Sequence, residues 1–125
     1  MKTEKDYEEF LGLFNRHEVR YCIIGAFALA FHAYPRYTKD MDLLVEASLE
    51  NGRRIIAALE AFGFGSLDLG PEDFALPGQI IQLGYEPVRI DIITAAKDVD
   101  FSAVWRNRVQ GPYGRQTVSY IDRQD

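Results

Sequence analysis

The sequence predicts an α/β fold of the α+β kind, a mixed β-sheet with helices packed against it. Three observations lead there. Segments whose apolar residues recur at helical spacing alternate along the chain with segments of strand periodicity. The links between them include one short hairpin connection and several long excursions, a combination that points to parallel and antiparallel pairs in one sheet. The chain has 125 residues, 47% hydrophobic and 26% charged. That suits one ordinary domain, 1–125, with its own core and no need of a disulfide or structural metal.

The elements follow in order. In Glu4 to Arg16, Tyr7, Phe10, Leu11 and Phe14 fall at i, i+3, i+4 and i+7, one face of a helix. Arg20 to Ile24 is a short run of β-type residues ended by Gly25, and Ala26 to Ala33 is a small, apolar helix stopped by Pro35. Asp40 to Glu46 alternates and reads as a strand. Ser48 caps a further helix whose inner face is Leu49, Ile55, Ile56, Leu59 and Phe62, and Gly63 stops it. Phe64 to Pro77 is mostly loop, with Gly65, Gly70, Pro71 and Pro77. Gln79 to Leu83 and Val88 to Thr94 are strands joined by a hairpin connection at Gly84-Tyr85-Glu86-Pro87. Asp100 to Arg108 reads as a short helix with Phe101, Val104 and Trp105 covering the core, and Gln116 to Ile121 as a last, edge strand. An open edge there offers a surface for a homodimer.

Composition narrows the function. A single cysteine, Cys22, excludes a disulfide framework and a cysteine-rich zinc module, and its apolar strand makes it a small core residue. No apolar run is long enough to span a membrane, and MKTEKDYEEF lacks the apolar core of a leader, so a cytoplasmic protein is expected. Nineteen acidic against fourteen basic residues give a net charge of -5, so there is no basic footprint for nucleic acid over the whole chain. An acidic protein acts on nucleotides when bound cations invert the local charge.

The acids that matter are Asp40 and Asp42, two apart on one strand and therefore on one face, roughly 7 Å apart at Cα. Two such carboxylates repel unless something positive lies between them. Asp91 stands between Ile90 and Ile92 in an otherwise apolar strand, where an acid needs a partner. Should that strand neighbour the first, three carboxylates converge into the oxygen-rich set that Mg2+ or Mn2+ prefers. The plainer readings are a solvated face for the pair and an ion pair with Arg89 or another arginine for Asp91. Gly25 and Ala26 open a helix after a strand, where small residues let a phosphate approach backbone N–H groups, although close helix–sheet packing accounts for them equally. Arg36, which could grip a phosphate through two N–H groups or balance Asp40, and Thr38 lie just before the pair.

The stretch IIGAFALAFHAYPRYTKDMDLLVE resembles the signature of the DNA polymerase beta-type nucleotidyltransferase superfamily. There, a Gly-Gly or Gly-Ser step at a strand–helix turn is followed by an Asp-x-Asp pair on the next strand and a third carboxylate on a later one. Asp91 in RIDIIT takes that last place. The fuller pattern, an AxxxH helix and then Arg-x-Thr-x-Asp-x-Asp, is similar to small bacterial nucleotidyltransferase-like proteins, among them the enzyme-like halves of some toxin–antitoxin pairs. PVRIDIIT followed by DFSAVWRNR resembles their later segment. The resemblance spans Tyr21 to Arg108. It departs at Ala26, where Gly or Ser is usual, and after SYIDRQD, where such proteins continue into helices bearing basic residues.

The resemblance implies a nucleotidyltransferase fold and a magnesium-dependent transfer of a nucleoside monophosphate from a nucleoside triphosphate such as ATP to a hydroxyl. The acceptor would be an RNA, a protein or a small molecule. It implies two metal ions held by Asp40, Asp42 and Asp91, with Gly25, Ala26, Arg36 and Thr38 on the triphosphate. The alternative is an inactive protein of the same fold, antitoxin-like, that binds a toxin or antitoxin partner. Arg106, Arg108, Arg115 and Arg123 form the most basic stretch, open to an RNA or protein acceptor or simply scattered surface charge.

Overall fold

The computed structural model describes residues 5–25, 28, 40–64, 68–85 and 88–125. Helix α1 (Lys5–Arg16) buries Tyr7, Phe10, Leu11 and Phe14, the stripe that the spacing marks, and carries Asp6 and Glu8 in its first turn, where the helix dipole favours acids. Strands β1 (Tyr21–Ile24) and β2 (Asp40–Val45) follow. Helix α2 (Leu49–Phe62) starts at Ser48, whose hydroxyl accepts the Asn51 N–H, and ends at Gly63, which takes a φ of 111°. Strands β3 (Ile80–Tyr85) and β4 (Val88–Thr94), helix α3 (Phe101–Arg106) and strands β5 (Val109–Tyr113) and β6 (Gln116–Tyr120) complete the order.

The six strands form one mixed sheet in the order β3-β4-β2-β1-β6-β5. The β2–β4 and β1–β6 pairs are parallel, and β1–β2, β3–β4 and β5–β6 are antiparallel. Helices α1 and α2 cover one face. Phe10, Phe14, Ile55 and Leu59 meet Tyr21, Ile23, Met41, Leu43, Val45, Ile90 and Ile92 in the main core. On the other face α3 packs Phe101 and Val104 against Cys22 and Ala95, with Leu44 and Trp105 alongside. Buried Asn51 ties α2 to the sheet. Its Oδ1 accepts the Arg20 N–H at 2.9 Å, and its Nδ2 donates to the carbonyls of Arg20 and Glu46 at 3.2 and 3.0 Å. No helix among the described residues is long and apolar enough to cross a membrane.

Several expectations are corrected. Val109–Tyr113 is a strand, so β6 lies inside the sheet between β1 and β5 rather than at its edge. The sequence reading assigns no element to this segment; its Pro112 is tolerated because β5 is an edge strand. This removes β6 as a dimerisation edge. Leu49 is exposed, not inward; Asn51 and Gly52 take the buried positions in the first turn of α2. Phe101 and Trp105 build a second, smaller cluster instead of closing the main core. The loop after Gly63 contains a short 3-10 turn, Pro71–Phe74, which inserts Phe74 fully into the core. The hairpin connection is shorter than expected, because β3 continues through Tyr85. The helix expected over 26–33 lies outside the described residues, apart from Ala28, which is helical and buried.

Candidate active site

The carboxylates are positioned by the pleat and register of β2 and β4. Along β2 burial alternates strictly. Met41, Leu43 and Val45 point into the main core, so Asp40 and Asp42 are held on the opposite face. In β4, Ile90 and Ile92 belong to the same core, which turns Asp91 to the carboxylate face as well. The parallel register then sets Asp42 directly beside Asp91, and Asp40 beside Arg89. On its other side Asp42 neighbours Ile24 of β1, and Asp91 neighbours Gln82 of β3. The three acids thus share one face of two adjoining central strands, as the sequence reading required.

Their electrostatics are those of closely set carboxylates. Asp42 is pushed up from 3.8 to about 6, first by burial, then by the negative charge of Asp91 and a hydrogen bond between the two side chains, and last by Asp40. Asp40 Oδ1 and Asp91 Oδ1 are buried without a hydrogen-bond partner among the described residues. An unpaired buried carboxylate oxygen is costly. The donor set is all oxygen and suits a hard divalent cation. Asp42 and Asp91 lean on each other, and among the described residues no three His, Cys, Asp or Glu side chains stand arrayed around a common point that would hold a metal ion. The unpaired oxygens, the donor chemistry and the raised Asp42 fit a cation; the side chains must separate to receive one.

Gly25 closes the cluster from β1. Its φ of 72° lies in the left-handed region. A Cβ built there would stand 2.7 Å from Asp42 Oδ2. The backbone conformation favours glycine at this point, and a side chain there would displace the Asp42 carboxylate. Ala26, Arg36 and Thr38, the other expected phosphate contacts, lie outside the described residues.

Two residues near the site stand in places the sequence reading does not give them; Arg89 is expected there only as an ion-pair partner of Asp91. Arg89 lies two before Asp91, on the same face, and pairs in register with Asp40. Its i−2 spacing from Asp91 was the available signal. Tyr7 reads from sequence as a core residue only. Its hydroxyl donates to the Arg89 carbonyl at 2.9 Å and accepts the Arg89 N–H at 3.1 Å, tying α1 to β4 next to the acids. Cys22 is fully buried and its thiol is pushed up to about 12 by that burial, in keeping with an inert core residue.

No protein-family model matches the chain, and no curated protein matches it in sequence. Among solved structures, a crystal structure from Thermotoga maritima, described as that of a candidate nucleotidyltransferase, superposes with a TM-score of 0.61 at 12% identity. The superposition covers 98% of this chain and 81% of that one. At that identity the likeness speaks for the architecture: the chain has the nucleotidyltransferase fold.

Proposed function

We propose that the chain is a metal-dependent nucleotidyltransferase, moving a nucleoside monophosphate from a nucleoside triphosphate to a hydroxyl of an acceptor. The observation that carries this reading is the side-by-side placement of Asp42 and Asp91, with Asp40 one step along and two buried carboxylate oxygens unpaired. Asp40, Asp42 and Asp91 would hold Mg2+ or Mn2+, which when bound neutralises the acids and the polyphosphate and acts as a Lewis acid on the reacting phosphorus. Asp91 accepts the proton of the attacking hydroxyl, a role suited to a carboxylate within an apolar strand. Gly25 leaves the backbone bare beside Asp42, so the triphosphate can approach N–H groups there. Ala26, Arg36 and Thr38 complete the triphosphate contacts in this reading.

The test is titration of the full chain with each nucleoside triphosphate, with and without magnesium, for wild type and Asp42→Asn. The expected result is binding that requires magnesium and is lost in the variant, together with loss of pyrophosphate release. Absence of binding both with and without magnesium would replace the enzyme by a partner-binding protein of the same fold. Binding unchanged in Asp42→Asn would refute the site.

A further inference from the structure

At the opposite end of β1 from Gly25, five residues and about 17 Å away along extended chain, a cleft of about 540 Å³ is lined by Arg20, Arg54, Arg108, Trp105 and Gln110, with Glu18 as its one carboxylate. Three guanidinium groups of a chain with net charge -5 meet there. Two are already compensated. Arg20 pairs with Glu46 at 3.1 Å, and Arg54 with Glu50 at 2.8 Å. Arg108 is different. Its guanidinium lies over the Trp105 ring, 3.8 Å from the centroid, and its Nη1 donates to the Trp105 carbonyl at 2.8 Å. It makes no ion pair among the described residues, and its Nε–H is buried with no acceptor.

A half-buried guanidinium with no ion pair among the described residues is unfavourable unless an anion meets the edge it turns to the cleft. The stack on Trp105 fixes the plane of the group in advance, so little freedom is lost when an anion docks. We propose that this cleft is a second ligand site, which takes a phosphate group on Arg108 with Arg20 and Arg54 at its rim. The volume exceeds what inorganic phosphate fills and suits a phosphorylated organic molecule or a length of nucleic-acid backbone. The fork of a guanidinium matches two phosphate oxygens at once. The inference does not depend on the reading of the carboxylates, which lie at the other end of β1.

Trp105 is the chain's only tryptophan, so its fluorescence reports the cleft directly. The full chain is titrated without magnesium using inorganic pyrophosphate, a nucleoside monophosphate and an eight-nucleotide single-stranded RNA. The expected result is a saturable change that weakens at least tenfold in Arg108→Gln and is unchanged in Asp42→Asn. Binding of the monophosphate as tightly as the RNA assigns a small organic phosphate; binding of the RNA alone assigns a nucleic-acid backbone. Should Arg108→Gln fail to fold, Gln110→Glu, which adds a carboxylate at an exposed position of β5, is expected to weaken binding by a similar factor. No saturable change at millimolar concentration with any of the three probes overturns the proposal. So does equal affinity in Gln110→Glu, or loss of binding in Asp42→Asn.

Discussion

Replacing Asp42 by Asn is expected to stabilise the metal-free protein at pH 8, even though it removes the proposed activity. The rise of Asp42 from 3.8 to about 6 means that the native state holds its proton more tightly than the unfolded chain does. Between about pH 4 and pH 6 the native state therefore binds more protons, so its stability falls as pH rises through that window. Above pH 6 both states are ionised and the whole penalty is present. A shift of this size is worth at most about 3 kcal/mol. The side chain is only half-buried, and solvent screening brings the figure nearer about 1 kcal/mol. For a domain of this length, that is about 3–5 °C in melting temperature. Asn keeps the shape and can donate a hydrogen bond to Asp91, so it mimics the protonated acid. Urea or thermal unfolding of both proteins in a chelator, at pH 4 and pH 8, checks the claim. The gain should appear at pH 8 and vanish at pH 4. Saturating magnesium should shrink it, because a ligand that binds only the native state stabilises wild type by mass action. A variant less stable than wild type at pH 8, or a gain independent of pH, would refute the account of the cluster.

Gly25→Ala is expected to cost about 1–2 kcal/mol from its left-handed backbone and to displace the Asp42 carboxylate, weakening magnesium-dependent nucleotide binding at least tenfold. Gly63→Ala, also at a positive φ but with open space around it, should cost about 1 kcal/mol and leave binding intact; equal binding in the two variants would remove the steric argument. Asn51→Ala is expected to lose about 2–4 kcal/mol, because it strands the Arg20 N–H and the Glu46 carbonyl and leaves the Arg20 carbonyl with the Glu46 N–H alone. Denaturant unfolding measures that loss, and a change below about 0.5 kcal/mol would contradict it.

Much of the architecture was legible because periodicity and punctuation agreed. The helix of Tyr7, Phe10, Leu11 and Phe14, the Ser48 and Gly63 stops, and the alternation in DMDLLVE each follow from one-dimensional pattern. What was not legible depends on partners. No element is legible at Val109–Tyr113, because a strand holding Gly111 and Pro112 is recognisable only once it is known to lie at an edge. Leu49 has the character of a core residue, but the start of α2 presents Asn51 and Gly52 to the sheet instead. Asp40 and Asp42 share a face by arithmetic, whereas the placement of Asp91 beside Asp42 comes from strand order, which nothing local encodes. Arg108 was visible only as one of several cations near the end of the chain. Its stack on Trp105 and its unpaired Nε are products of the folded geometry.

The parallel pairing of β2 with β4 has a mechanical consequence. Neighbouring strands in a sheet lie at a nearly fixed spacing of about 4.8 Å, and both of these strands are interior, each gripped on two sides. The distance between the backbones that carry Asp42 and Asp91 is therefore a ruler built into the scaffold. Only the short reach of an aspartate can be adjusted against it. In the proposed reading, that fixed spacing and the reach of two aspartates together set the size of the cation held between them.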